Sequence, residues 1–413
     1  MAEGAAEASR AAERAARESY GRLVAFLAAR TRDVAGAEDA LAEAFAAALR
    51  TWPVDGVPRN PDAWLLTAAR RRQTDAIRRR QTRAAGKEHL ELMADEIAAA
   101  ATPEEIPDRR LALMFACAHP AIEPGMRAPL ILQTILGMTA QDIAASFLIP
   151  PATMSQRLVR AKSRIRDAGI PFRVPGREEL PDRLGAVLDA IYAAYTKGWA
   201  DIGDLGSETL ADEAIWLGQL IVSLLPDEPE AKGMLALMLY AEARRSARRN
   251  GDGAYVPLEG QDTALWDQRL IAVAETLLHD ASQGGPSGRF QIEAAIQSAH
   301  TARRLNGQST WPAILALYDH LVTFTRSPVA QLNRAIARAE VEGPETALAE
   351  IEPLAEDRRM LAYQPYWAAR GHLLAAAGRI AEAREALTLA AGLSADPAIR
   401  QYLQSRLRAL SEA

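Results

Sequence analysis

Apolar residues recur at three- and four-residue intervals along nearly the whole chain, and runs of β-branched residues are scarce. Leu23, Phe26 and Leu27 form one such stripe, and Leu41, Phe45 and Leu49 a second. The pattern predicts an all-α protein. Pro53, Gly56, Pro58 and Pro61 interrupt it before a third helix that starts near Asp62, which gives a three-helix unit ending near Gln81. Over residues 84–107 the periodicity decays into alanine, Gly86, scattered charges, Pro103 and Pro107, the character of a linker. A second helical unit follows over 108–170, and Pro171, Pro175, Gly176 and Pro181 then mark a connector.

The expected domains are therefore 9–83, a linker at 84–107, 108–170, a connector at 171–183, and a long C-terminal helical domain over 184–413. The far end carries a weak repeat. Gly371, Ala375, Gly378, Ala383, Ala386, Ala390 and Pro397 have the small-residue spacing of a tetratricopeptide-like helical hairpin. Ala335, Ala339, Gly343 and Ala347 resemble a neighbouring copy.

Charge adds a distribution rather than a total. The 413 residues carry 48 Lys+Arg against 53 Asp+Glu, a net charge of −5, so the molecule is not broadly basic. Arginines instead concentrate at 70–83 and 157–166. Cys117 is the single cysteine, which excludes an intramolecular disulfide and fits a reducing, cytoplasmic setting. No apolar run approaches the ~20 residues of a membrane span, and residues 1–17 lack the apolar stretch of a signal peptide. Six histidines show no nucleophile-and-base or metal-ligand arrangement, so neither an enzyme nor a metal or cofactor site is expected. Cys117, His119 and Glu123 read as helix core. Arg244, Arg245, Arg248 and Arg249 read as a solvated helix end. Trp199, Trp216, Trp266, Trp311 and Trp367 read as packing anchors.

The sharpest segment is LGMTAQDIAASFLIPPATMSQRLVRAKSRIR, residues 136–166. Thr139 is placed to cap a short helix, residues 147–150 to form a turn, and Pro151 to open a second helix. That is helix-turn-helix spacing. Thr153, Ser155, Gln156, Arg157, Arg160 and Lys162 are the candidate DNA contacts, while Met154, Leu158 and Ile165 are available to hold the helix on a core. A second basic segment, DAWLLTAARRRQTDAIRRRQTR over 62–83, offers Trp64, Leu65, Ala68 and Ile77 inward. It leaves Arg70, Arg71, Gln73, Arg78, Arg79 and Arg80 to project.

Together these blocks resemble the two conserved domains of extracytoplasmic-function sigma factors. AEDALAEAFAAALRTWP, residues 37–53, resembles the helix that binds the polymerase β′ clamp, with Asp39, Glu43, Phe45 and Leu49 at the matching positions. The segment 60–80 resembles the one that melts and reads the minus-ten element, and 137–166 the module that reads the minus-thirty-five element. Arg71 stands where many members carry asparagine, so base preference is not carried over. FACAHPAI at 115–122, the run 224–248, QDTALWD at 261–267 and SPVAQLNRAIARAE at 327–340 resemble the subgroup with a fused tetratricopeptide-like extension. YTKGWA at 195–200 departs from that subgroup's Asn-Glu-Gly-Tyr run.

The resemblance implies core RNA polymerase (its β′ clamp helices and β subunit) and promoter DNA as partners, with no membrane. The extension has the size and form of an interaction scaffold and is expected to regulate the sigma domains, its own partner being a protein, a small molecule or the sigma domains themselves. A stand-alone helix-turn-helix regulator with a helical effector or scaffold domain is the alternative, which leaves the blocks at 37–53 and 60–80 without a role.

Overall fold

A computed structural model describes residues 2–82, 108–147, 149–176, 178–200, 210–285, 287–307 and 309–412. The expected linker, 84–107, lies outside the described residues. Helices dominate, and among the described residues there is no strand, only an isolated antiparallel bridge between Arg249 and Tyr255. The chain is all-α, in two compact units, Met1–Lys197 and Gly198–Ala413.

The first unit contains α1 (Ala2–Glu18), α2 (Tyr20–Thr31), α3 (Val34–Asp55), α4 (Pro61–Thr82), α5 (Arg110–Cys117), α6 (Pro124–Leu136), α7 (Ala140–Phe147) and α8 (Pro151–Asp167). Helix α9 (Pro181–Ala200) runs to its end and across the boundary. Asp33 starts α3 by accepting the Gly36 N–H at 3.0 Å, and Gly56, with φ of +85°, ends it. The first turn of α4 is held to α2 through Asp62, which accepts from the buried Ser19 hydroxyl at 2.6 Å and from Arg22.

Leu23, Val24, Leu27, Leu41, Ala44 and Leu65 are buried where α2, α3 and α4 meet. Each fully buried leucine of this kind contributes about 1.5–3 kcal/mol. The opposite side of α2 packs on α5 and α6. There the backbones approach so closely that a Cβ on Gly21 would fall 1.9 Å from the Ile135 carbonyl oxygen. Only glycine permits that crossing. Helix α8 rests on α6, α7 and α3. Lys162 of α8 is ion-paired with Glu38 of α3, Arg166 lies 3.7 Å from Asp33, and Arg32 donates to the Gly169 carbonyl at 3.4 Å. The three-helix unit and the helix-turn-helix thus form one packed body.

The second unit is a succession of helices: α10 (Leu210–Leu224), α11 (Pro229–Glu242), α12 (Gln268–Ser282), α13 (Arg289–Asn306), α14 (Trp311–Thr325), α15 (Pro328–Glu342), α16 (Pro344–Ile351), α17 (Arg358–Leu361), α18 (Gln364–Ala376), α19 (Ile380–Leu393) and α20 (Pro397–Glu412). Sequential neighbours pair as hairpins. The small residues of the repeat let α18 and α19 pack closely, because a Cβ on Gly371 of α18 would meet Leu387 of α19 at 2.7 Å. Gly378, with φ of +73°, turns the chain between them.

Polar ties cross these hairpins. Glu230 of α11 caps α13 by accepting the Phe290 and Gln291 N–H groups at 3.0 and 3.1 Å. Arg334 and Arg338 of α15 share Glu350 of α16, at 2.6 and 3.3 Å.

The arginines at 244–249 correct an expectation, since they are internal ties and not a solvated helix end. Arg244 donates to Gln297 at 2.6 Å, and Arg245 pairs with Glu242 at 2.6 Å. Arg248, 7% exposed, lies 3.5 Å over the Trp199 ring and donates to the Trp199 carbonyl. Arg249 pairs with Asp396. Arg244, Arg248 and Arg249 gain partners that the fold brings near, which offsets part of their removal from water, while Arg245 pairs within its own turn.

Candidate nucleic-acid interface

Helix α7 begins as its sequence dictates: the Thr139 hydroxyl accepts the Asp142 N–H at 3.1 Å and donates to the Asp142 carboxylate at 2.7 Å. That hydroxyl and Lys197, 3.0 Å away, hold the Asp142 carboxyl below its usual range. Leu148 of the following turn lies outside the described residues, and α8 then opens on Pro151. Met154, Leu158 and Ile165 are fully buried and fix the roll of α8. Ser155, Gln156 and Arg160 are consequently exposed on the outer face, while Thr153 and Arg157 are half-buried at its margins. Lys162 separates from this set, because its ammonium turns back to Glu38 with the side chain only 11% exposed. Val159, not singled out in the sequence, is 65% exposed among Ser155, Gln156 and Arg160. An apolar residue spaced four from Ser155 and three from Gln156 on a polar face is the signal that could have found it.

On α4, Leu65, Leu66 and Ala69 face the core, so the inward stripe lies one position from the expected Ala68. Trp64 is half-buried and meets Trp52 edge-on, with ring centroids 5.5 Å apart. Arg71 is exposed, Gln73 is half-buried, and the Arg70 guanidinium lies 4.9 Å above the Phe26 ring. Burial and the neighbouring Arg30 charge both lower the Arg70 pKa. The side chains of Ile77, Arg78, Arg79 and Arg80 lie outside the described residues, although the helix itself continues to Thr82.

On α3, Asp39, Glu43 and Leu49 are exposed and Phe45 is half-buried beside them. Glu43 lies 3.4 Å from Arg72 of α4, an exposed pair worth little in stability. Glu38 occupies the i, i+7, i+11 line that runs on to Phe45 and Leu49, so α8 docks at the N-terminal end of that stripe.

Cys117 is fully buried, with its sulfur 3.6 Å from the Thr134 hydroxyl, and burial pushes its thiol up to about 12. That is a packing environment, not a reactive one. Among the described residues no group of three or more His, Cys, Asp or Glu could hold a metal ion, and no helix is long and apolar enough to cross a membrane.

Comparison with known families places sigma-70 region 2 over residues 16–83, which spans α2, α3 and α4. A family of unknown function, DUF6596, matches residues 183–282. The uncharacterized protein R00370 of Rhizobium meliloti (strain 1021) is 38% identical over 379 residues, covering 90% of this chain and 89% of the relative. No solved structure matches. The chain thus carries a sigma-70 region 2 on its α2–α4 unit and belongs to one family with the uncharacterized Rhizobium protein, whose similarity runs through both compact units.

Proposed function

We propose that this chain is a sigma factor of the extracytoplasmic-function type, which binds core RNA polymerase and directs promoter-specific initiation. The observation that carries the reading is the pairing of a sigma-70 region 2 with a helix-turn-helix whose outer face offers Ser155, Gln156 and Arg160. In this reading α3 docks on the β′ clamp through Asp39, Glu43, Phe45 and Leu49. Helix α4 meets the minus-ten element with Arg70, Arg71 and Gln73, and with Arg78, Arg79 and Arg80 further along. Helix α8 enters the major groove at the minus-thirty-five element, where each well-made base contact supplies about 1–3 kcal/mol of discrimination. Phosphate contacts by the arginines give salt-sensitive affinity and position. The chain performs no bond chemistry, works in the cytoplasm, and leaves nucleotide addition to the polymerase.

Two promoter elements about 25 base pairs apart are roughly 85 Å apart along the duplex at 3.4 Å per base pair. Because α8 lies against α3, occupying both elements at once requires the helix-turn-helix to leave α3. Lys162 is then released from Glu38 to join the DNA-facing set.

The hairpins of the second unit form a tetratricopeptide-like extension that engages a protein partner and regulates the sigma domains. The family match at 183–282 and the relative's similarity across nine-tenths of the chain support treating the extension as integral to function.

The polymerase contact is tested by capture of core enzyme on the full chain. The Asp39→Arg/Glu43→Arg variant is expected to lose capture at least tenfold while retaining the wild-type circular dichroism spectrum. Undiminished capture by a folded variant contradicts the assignment of α3.

A further inference from the structure

Arg303 and Arg304, in the last turn of α13, both reach to residues 259–261, a segment 44 and 43 positions earlier in the chain. The Glu259 carboxylate fills the Arg303 guanidinium fork through two N–H···O bonds of 2.5 and 3.0 Å. Arg304 donates instead to the neutral Gln261 carbonyl at 2.8 Å. The Nε of each arginine and the Nδ1 of His300, one turn back, are buried with no hydrogen-bond partner among the described residues. The Arg303 guanidinium lies 4.7 Å above the Trp311 ring, which also meets His300 edge-on with ring centroids 5.4 Å apart. The two sides of the ion pair differ in exposure, 14% for the Arg303 side chain and 59% for that of Glu259. The cation is built into the fold, and the anion is brought to it from the solvent side. Arg303 first, and then the Arg304 charge, hold the Glu259 carboxyl below its usual range. One exposed carboxylate thus answers to two guanidinium groups.

We infer that the Arg303–Arg304 face of α13 is a docking site for an acidic segment of a partner protein, and that Glu259 is the occupant such a segment displaces. Rotation of the exposed Glu259 side chain into solvent vacates the fork without moving the helix. Two neighbouring carboxylates on the partner then engage Arg303 in its fork and Arg304 beside it, where Glu259 serves Arg303 alone. The fork is held over the Trp311 ring, so it accepts a carboxylate with little loss of freedom. An acidic protein fits this face better than a nucleic acid does. The fork already holds a carboxylate in bidentate geometry, and two guanidinium groups are too few to track a phosphate backbone. In the whole chain 53 acidic residues outnumber 48 basic ones, which turns an acidic partner away from the rest of the surface and toward this face. The inference names the chemistry of the protein partner proposed for the extension and rests on that reading for the partner's existence, while the fork stands on its own residues.

The test is fluorescence anisotropy of the full chain with a labelled peptide of alternating Glu-Glu and Ala-Ala pairs, with the same peptide carrying glutamine for glutamate, and with a single strand of oligothymidylate. The wild-type chain is expected to bind the glutamate peptide in a salt-sensitive manner and to ignore the glutamine peptide. Glu259→Gln removes the competing carboxylate and tightens binding of the glutamate peptide about tenfold, a gain that a folding defect does not produce. Arg303→Ala weakens it about tenfold, alone or combined with Glu259→Gln, and Arg303→Lys, which keeps the charge without the fork, recovers only part of the loss. The inference is overturned if Glu259→Gln binds the glutamate peptide no tighter than wild type, or if the glutamine peptide binds equally. It is also overturned if oligothymidylate binds with the same dependence on Glu259 and Arg303, which would assign the face to nucleic acid. A protein partner captured by the extension, with neither Glu259→Gln nor Arg303→Ala altering its affinity, would keep the proposed role of the extension and remove the fork from it.

Discussion

Lys162 of α8 donates its ammonium proton to the Glu38 carboxylate of α3, and the two side chains are only 11% and 14% exposed. Burial raises the Glu38 pKa despite the opposing pull of Lys162. The pair is therefore a fastening whose members depend on each other. Lys162→Met leaves a carboxylate stranded against α8 and is expected to cost about 3 kcal/mol at the α3–α8 contact. Lys162→Met/Glu38→Leu removes both charges and is expected to recover most of that loss. Hydrogen exchange of the α3 and α8 amides reads both effects, and exchange unaltered in Lys162→Met contradicts the role of the pair.

Gly21 fixes the other side of the same body. Alanine there requires a Cβ 1.9 Å from the Ile135 carbonyl oxygen, so α2 and α6 must separate. Gly21→Ala is expected to destabilise the first unit by at least about 3 kcal/mol, a size reserved for overpacking and buried defects. Urea unfolding followed by tryptophan fluorescence checks it, and a midpoint equal to wild type counts against the close crossing.

His300 in α13 titrates against stability in the second unit. Burial, then the charges of Arg303 and Arg244, lowers its pKa from 6.5 to about 4, with Glu259 opposing. A lowered folded pKa means that its contribution is fully present above pH 6.5 and is lost as pH falls toward 4. The expected loss between pH 7.5 and pH 5 is about 2 kcal/mol. His300→Gln is expected to flatten that dependence in denaturant titrations at the two values. An identical slope in the variant would assign the pH dependence to other groups.

Cys117, buried against Thr134, is expected to be silent to a thiol reagent in the native chain and to react fully in denaturant. Rapid labelling without denaturant would contradict the packing of α5 on α6.

Local pattern carried the helices and the outward set on α8, because Thr139, Pro151, Met154, Leu158 and Ile165 act through neighbours within one or two turns. The docking of α2 on α6 was not legible, since Gly21 and Ile135 meet across a large sequence separation and glycine in a helix has many uses. The pairing of Lys162 with Glu38 was hidden for a similar reason. A lysine at the end of a basic helix looks the same whether it faces phosphate or Glu38, 124 residues away. Arg248 and Arg249 looked solvated because their partners, Trp199 and Asp396, are 49 and 147 residues away.

Run-off transcription by core RNA polymerase, with and without the full chain, on a library of promoter fragments tests the central claim most directly. A sigma factor adds discrete start sites that depend on the chain and vanish with Asp39→Arg/Glu43→Arg. Binding of the chain to DNA fragments without any new start site would contradict the account and make the helix-turn-helix that of a stand-alone regulator.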